Sequence, residues 1–162
     1  MKYLWLTLRH KYWVLRYGIK IGCPIWRLIT HDISKLSWTE YPHYQRQFFG
    51  DKGDQPGFNR AWAHHQNVND HHWEWWILRT YHDRGTPRGI DNDPMPMPKP
   101  AVLEMIADWM GASHAYDKKA VDINNWPWLD KTWPRISKRM HGDTKTMVMR
   151  ILFDNGRNYL CP

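Results

Sequence analysis

His31-Asp32 offers an imidazole and a carboxylate from consecutive residues, which is the beginning of a divalent metal site. A second imidazole from His10 and a second carboxylate from Asp108 would complete a set of four that leaves positions open for water and a substrate oxygen. Such an open set belongs to a catalytic ion rather than a structural one. Two doubled histidines, His64-His65 and His71-His72, add four more imidazoles within nine positions. On one unbroken helix a seven-residue separation returns to nearly the same face but rises about 10.5 Å, too far for both pairs to hold one ion. A break at residues 67–70 would fold the pairs toward each other. The spacing therefore leaves a metal or phosphate role open to either member of each pair.

Helices must position these residues, because helical spacing is the dominant periodicity. Tyr3, Leu6, His10, Trp13, Val14, Tyr17 and Ile21 recur at intervals of about three and four, which predicts an amphipathic helix over 2–22 with His10 in its apolar stripe. Gly22, Cys23 and Pro24 end it, and Pro24 opens a second helix that runs into His31-Asp32. Ser37-Trp38-Thr39-Glu40 reads as a capping box for a helix through Phe49, closed by Gly50. Residues 50–57 read as a loop. Residues 58–85 are helical in length, either continuous or broken with Asp70 as the cap of the second half.

Prolines at 87, 94, 96, 98 and 100 make residues 86–100 an extended strap or lid. Pro100 suits the first turn of a helix over 101–116 that carries Ala101, Met105, Asp108 and Ala112 near one face. After a loop rich in Asn, Pro and Trp, Asp143 is expected to cap a last helix ending near Gly156. Alternating patterns and internal repeats do not occur. The expectation is one all-α helical bundle, 1–162, with a metal-binding core over 1–115 and a Trp/Pro-rich strap and helix over 116–162.

Composition narrows the partners. The 162 residues suit one domain able to bury a core, and two cysteines, Cys23 and Cys161, argue against a disulfide framework and for a reducing cytoplasm. The opening MKYLWLTLRHKYWVLRYG resembles a signal peptide only superficially, since Arg9, His10, Lys11 and Arg16 interrupt each apolar run. With no stretch able to span a bilayer, no membrane partner is expected. A net charge of +7 favours anionic partners, yet the charges are scattered, which favours a small anionic substrate over duplex nucleic acid. Of the 12 tryptophans, Trp62, Trp73, Trp75 and Trp76 read as core. His10 and Asp108, polar residues in apolar stripes, need buried partners, and one shared cation would serve both.

The ordered set His10, His31-Asp32, His64/His65, His71/His72 and Asp108 resembles the HD-domain superfamily of all-helical metal hydrolases. HDISKL looks like that family's HD-x-x-K form. HDISKLSWTEYPHYQRQFFG, AWAHHQNVNDHHWEWW and LEMIADWMGAS together look like a small group of phage and bacterial proteins related to HD domains, a likeness covering most of residues 8–115. The resemblance implies one or two divalent ions, drawn from Mn, Fe, Co, Ni, Zn or Mg. It implies that His10, His31, Asp32 and Asp108 hold the first, with Asp32 able to bridge. One histidine of each doubled pair, His65 and His72 by preference, holds a second ion or grips phosphate.

The activity implied is phosphohydrolysis of a nucleotide by a metal-activated water, with Asp32 and Lys35 catalytic. Lys35, His64, His71, Lys138 and Arg139 would contact substrate, although a solvated helix end suits Lys138 and Arg139 as well. Glu40 or Glu74 could orient the water. A location in the cytoplasm, that of the host for a phage-borne chain, goes with it. Cyclic or oligonucleotide phosphodiesterase activity is the neighbouring alternative. The ligand order also resembles HD-type di-iron oxygenases such as the myo-inositol oxygenase group, and a non-enzymatic helical binding module with structural zinc is a third possibility.

Overall fold

Lys2–Lys20 form helix α1, which buries Tyr3, Thr7, His10, Val14 and Gly18, a stripe at intervals of three and four. The computed structural model describes residues 2–77 and 94–157, and among these the chain is all-α, with isolated bridges at Ile77 and Pro94 and at Asp122 and Asn125 but no strand. Stripe and core meet along α5, Lys99–Asp117, whose residues 101–107 are all buried. Pro100 lies in its first turn, as expected. The two helices approach closely at Gly111. A Cβ there would stand 2.5 Å from Val14 Cγ2 and 2.8 Å from the Val14 backbone nitrogen.

α2, Ile25–Thr30, is short and seats Leu28 against Gly18, where any larger residue would collide with the leucine methyls. A 3-10 turn, Ile33–Leu36, follows His31-Asp32. α3 spans Tyr41–Phe49 rather than beginning at Ser37, and the capping box does not form. Ser37 instead accepts backbone bonds from Glu40 and Tyr41 through its carbonyl, while the Glu40 side chain turns inward to two histidines. Two histidine donors, His65 buried and His64 half-exposed, outweigh one backbone donor for that buried carboxylate.

α4, Gln55–Val68, starts inside the stretch read as loop, because Asp54 caps it through Gly57 N and Pro56 fits its first turn. Of the two readings left open the broken one holds, since α4 ends where Asn69 is extended and its side-chain amide donates to the His65 carbonyl at 2.8 Å. Asp70 pairs with Arg27 instead of capping, and only a 3-10 turn, Trp73–Trp76, follows. The rest of the helix expected through Gly85, and residues 86–93 of the strap, lie outside the described residues. The strap's remainder, 94–98, is extended and anchored, with Met97 buried and its N–H donated to Thr144 Oγ1.

The Trp-rich tail contains a helix that its composition conceals. α6, Pro127–Ile136, starts on Pro127 and buries Leu129, Trp133 and Ile136. A 3-10 turn, Ser137–Arg139, leads to α7, Gly142–Asp154, capped by His141 Nδ1 accepting from Asp143 N rather than by Asp143 itself. Trp126, Leu129, Trp133, Val148 and Leu152 belong to the same apolar core as α5. Cys23 is buried and free, and Cys161 lies outside the described residues. No helix among the described residues is long and apolar enough to cross a membrane.

Candidate metal centre

α2 stops at Thr30, and the chain reverses through His31 and Asp32. Asp32 adopts left-handed backbone (φ 55°, ψ 25°), a conformation that costs a non-glycine residue about 1 kcal/mol and that Asp tolerates better than most. Both side chains end up buried. Lys35 N holds the Asp32 carbonyl at 3.0 Å, and the Lys11 ammonium, on α1, donates to the carbonyls of His31 and Ile29. The reversal is thus pinned from both sides.

His10 from α1 and Asp108 from α5 meet this turn. His10 Nε2 lies 3.0 Å from Asp108 Oδ1, 3.2 Å from Asp32 Oδ2 and 3.2 Å from His31 Nε2. His31 Nε2 lies 3.3 Å from Asp32 Oδ2 and 3.5 Å from Asp108 Oδ1. Donors bound at about 2.1 Å to one ion stand about 3.0 Å apart at a right angle and about 3.4 Å apart at the tetrahedral angle. The observed separations cover that range, so these four residues fit a divalent cation.

A second set shares Asp32 through its other oxygen. His65 Nε2 and His71 Nε2 lie 3.3 and 3.5 Å from Asp32 Oδ1, and with His72 all ligand atoms fall within 4.8 Å of one another. Asp32 Oδ1 and the Nε2 atoms of His65, His71 and His72 are buried and make no hydrogen bond. Buried polar atoms are rarely left so, and four converging on one point suit a cation.

The rings are aimed from behind by two carboxylates. Glu104 Oε1 faces Nδ1 of His31 at 2.9 Å and Nδ1 of His71 at 3.2 Å, while Glu40 Oε2 faces Nδ1 of His65 at 3.0 Å. An ionised carboxylate only accepts, so each Nδ1 carries a hydrogen toward its carboxylate, and each ring presents its Nε2 to Asp32, the atom that would ligate a cation. His31, His71 and Glu104 could by distance form a third ligand group. Glu104 is better explained as the orienting partner, because Arg27 takes its other oxygen at 2.6 Å.

Charge supports the same reading. Burial alone would raise Asp32 and Asp108, yet the histidines around them, with Lys35 beside Asp32, hold both well below the usual carboxylate range. Glu104 is likewise brought down, against burial, to about 2 by His31 and His71. Burial opposes a charged His31, but Asp32 and Asp108 hold it well above its ordinary value. Burial, then His71 and His65, push His72 well below its ordinary value, which leaves it in the neutral form that ligates metals. Among the described residues Lys35 pairs with Asp32 and Arg27 with Glu104 and Asp70, while the Lys11 ammonium lies near enough to interact with both Asp32 and Glu104.

A cavity of about 510 Å³ opens on the centre, a size suited to a small molecule. His10, His65, His72 and Asp108 reach it, together with Lys35. Trp62, Trp73, Trp109, Trp128 and Tyr116 supply aromatic walls, and α6 with its following turn adds Arg135 and Arg139. The Arg139 guanidinium stands 4.8 Å from the centre of the Trp73 ring.

The residues expected from sequence divide accordingly. His10, His31, Asp32, His65, His72 and Asp108 converge, with Lys35 paired to Asp32. His64 does not join them: it bonds Glu40 Oε1 at 2.8 Å on the outer side and does not line the cavity. His71, expected on the substrate, is buried in the second donor set instead, since the break at Asn69 turns it inward. Lys138 is exposed and away from the cavity, while Arg139 lines it. Glu40 stands behind His65 rather than beside a substrate, whereas Glu74 borders the cavity. Glu104 was not singled out, although a lone acid four residues before Asp108 in an apolar run marks the same helix face. Trp109, Trp128, Tyr116 and Arg135 carried no signal that separates them from core or surface.

Neither the curated proteins nor the solved structures compared with the chain include a match. A family model does match, over residues 1–154, and the chain belongs to that family, described as a family of unknown function (DUF5662).

Proposed function

We propose that this protein is a metal-dependent phosphohydrolase of the HD type acting on nucleotides in the cytoplasm. The observation that carries this reading is Asp32, shared through its two oxygens between two donor sets beneath a cavity with basic and aromatic walls. Divalent ions, when bound, acidify a water toward neutrality and polarise a phosphoryl oxygen. His10, His31, Asp32 and Asp108 would hold one ion, and Asp32 with His65, His71 and His72 the other. Glu104 and Glu40 keep the ligand rings fixed, so little reorganisation is needed as charge develops.

Lys35 stands at the mouth of the centre, where its ammonium can neutralise a phosphoryl oxygen. Burial works against its charge, but Asp32 and Asp108 hold its pKa up. Arg139 and Arg135 can draw a second anionic group toward α6, and the tryptophans offer faces on which a base can stack.

Metal analysis of the purified chain, followed by a screen of nucleotides for phosphate release with Mn, Co, Ni and Mg, tests the proposal. Asp32→Asn keeps a residue that tolerates left-handed backbone, so helix content should persist while metal uptake and phosphate release are both lost. Protein carrying iron, inert on phosphoesters and consuming dioxygen, would overturn hydrolysis in favour of oxygenase chemistry.

A further inference from the structure

The outer face of α1, α2 and the turn after them plays no part in the metal centre. Among residues 2–39 every exposed charged side chain is basic: Lys2, Arg9, Arg16 and Lys20. The first acid of the sequence, Asp32, is buried. Most of the other exposed side chains on this stretch are large and apolar. Trp5 is 71% exposed, Ile29 65% and Trp38 90%.

These residues are arranged, not scattered. Trp5, Arg9, Tyr12, Arg16 and Lys20 recur at intervals of three and four along α1, and Leu4, Leu8 and Ile19 form the stripe beside them. The bond from Lys11 to the Ile29 carbonyl lays the end of α2 against the middle of α1. Exposed Ile25 and Ile29 on α2 thus lie beside the apolar stripe of α1, and Ile33, Leu36 and Trp38 in the chain that follows are exposed as well. Single exposed apolar residues are ordinary, but a contiguous run marks a contact surface.

We propose that this face seats the protein on an anionic phospholipid bilayer, with the apolar stripe in the headgroup region and the basic residues against lipid phosphate. An apolar stripe with Trp, flanked by Lys and Arg and free of exposed acids, is the composition of an element that lies in the interface. The expectation of no membrane partner rests on spanning alone and does not address a contact that lies on the bilayer without crossing it. A second copy is disfavoured, since a symmetric pairing would set Arg9 and Arg16 against their own kind. Nucleic acid has no use for a row of isoleucines. The inference does not depend on the metal chemistry, although the inner side of the same helix carries His10 and so holds the centre one helix width from the lipid.

Sedimentation of the full chain with vesicles tests it, comparing equimolar phosphatidylcholine and phosphatidylglycerol with phosphatidylcholine alone. Binding to the anionic vesicles should be stronger by about tenfold or more, fall with salt and shift tryptophan emission to the blue. The pairs Trp5→Ser with Ile29→Ser, and Arg9→Glu with Arg16→Glu, should each weaken it about tenfold while circular dichroism stays unchanged. Absence of vesicle binding overturns the proposal, as does equal binding to both vesicle types or by folded variants. A concentration-dependent dimer that Ile29→Ser dissolves would assign the face to a second copy instead, and duplex binding through Arg9 and Arg16 without vesicle binding would assign it to nucleic acid.

Discussion

Glu104 links the two donor sets from behind, taking the Nδ1–H of His31 and of His71 on one oxygen and Arg27 on the other. Glu104→Gln should therefore weaken metal binding by about 10–100-fold with the fold intact, as competition with a metallochromic chelator would measure. Glu104→Ala should in addition cost about 3 kcal/mol in urea unfolding, the lower end for breaking a buried pair, because Arg27 keeps Asp70. At this scale the sequence was partly legible. His10 and Asp108 declared themselves as polar residues in apolar stripes, but adjacent histidines on a helix differ only by about 100° of rotation. What selects His65 over His64 for the centre is where Glu40 and Asp32 arrive, and that is a tertiary fact.

The contact of α1 with α5 sets the centre's width. Gly111 lies three residues past Asp108, and Val14 four past His10, so this tight contact of the two helices sits about one turn from the 3.0 Å meeting of His10 with Asp108. Gly111→Ala must push Val14 away. It should destabilise the protein by about 1–3 kcal/mol in thermal or urea unfolding and weaken metal retention in parallel, whereas a purely packing effect would leave metal retention unchanged. Elements with clean periodicity, such as α1 and α5, were readable. α6 was not, because Pro127 and Pro134 and its tryptophans read as loop although Leu129, Trp133 and Ile136 keep helical spacing. Ser37 and Glu40 show the opposite error: a correct local motif lost to a buried carboxylate with better partners.

At the level of the whole molecule, metal and stability should be coupled through the centre. At a metal concentration about a hundredfold above the dissociation constant the native state gains about 2.7 kcal/mol, roughly 5–10 °C in melting temperature for a chain of this size. Asp32→Asn should show no such rise. The pH dependence should differ between the two states. In metal-free protein the raised His31 contributes stability that is fully present below its ordinary value near 6.5 and lost as pH rises through its higher folded value. Ligation needs the neutral ring, so apparent metal affinity should climb over that same range, as titrations at several pH values would show.

The ion pair between Lys35 and Asp32 gives this behaviour its starting point. The chain carries its own counter-ion for the carboxylate that both donor sets share, so closing the bundle does not have to wait for metal to arrive. Loading would then be an exchange within a folded chain, in which Lys35 would yield Asp32 Oδ2 to an incoming ion and its ammonium would become available to the cavity it lines.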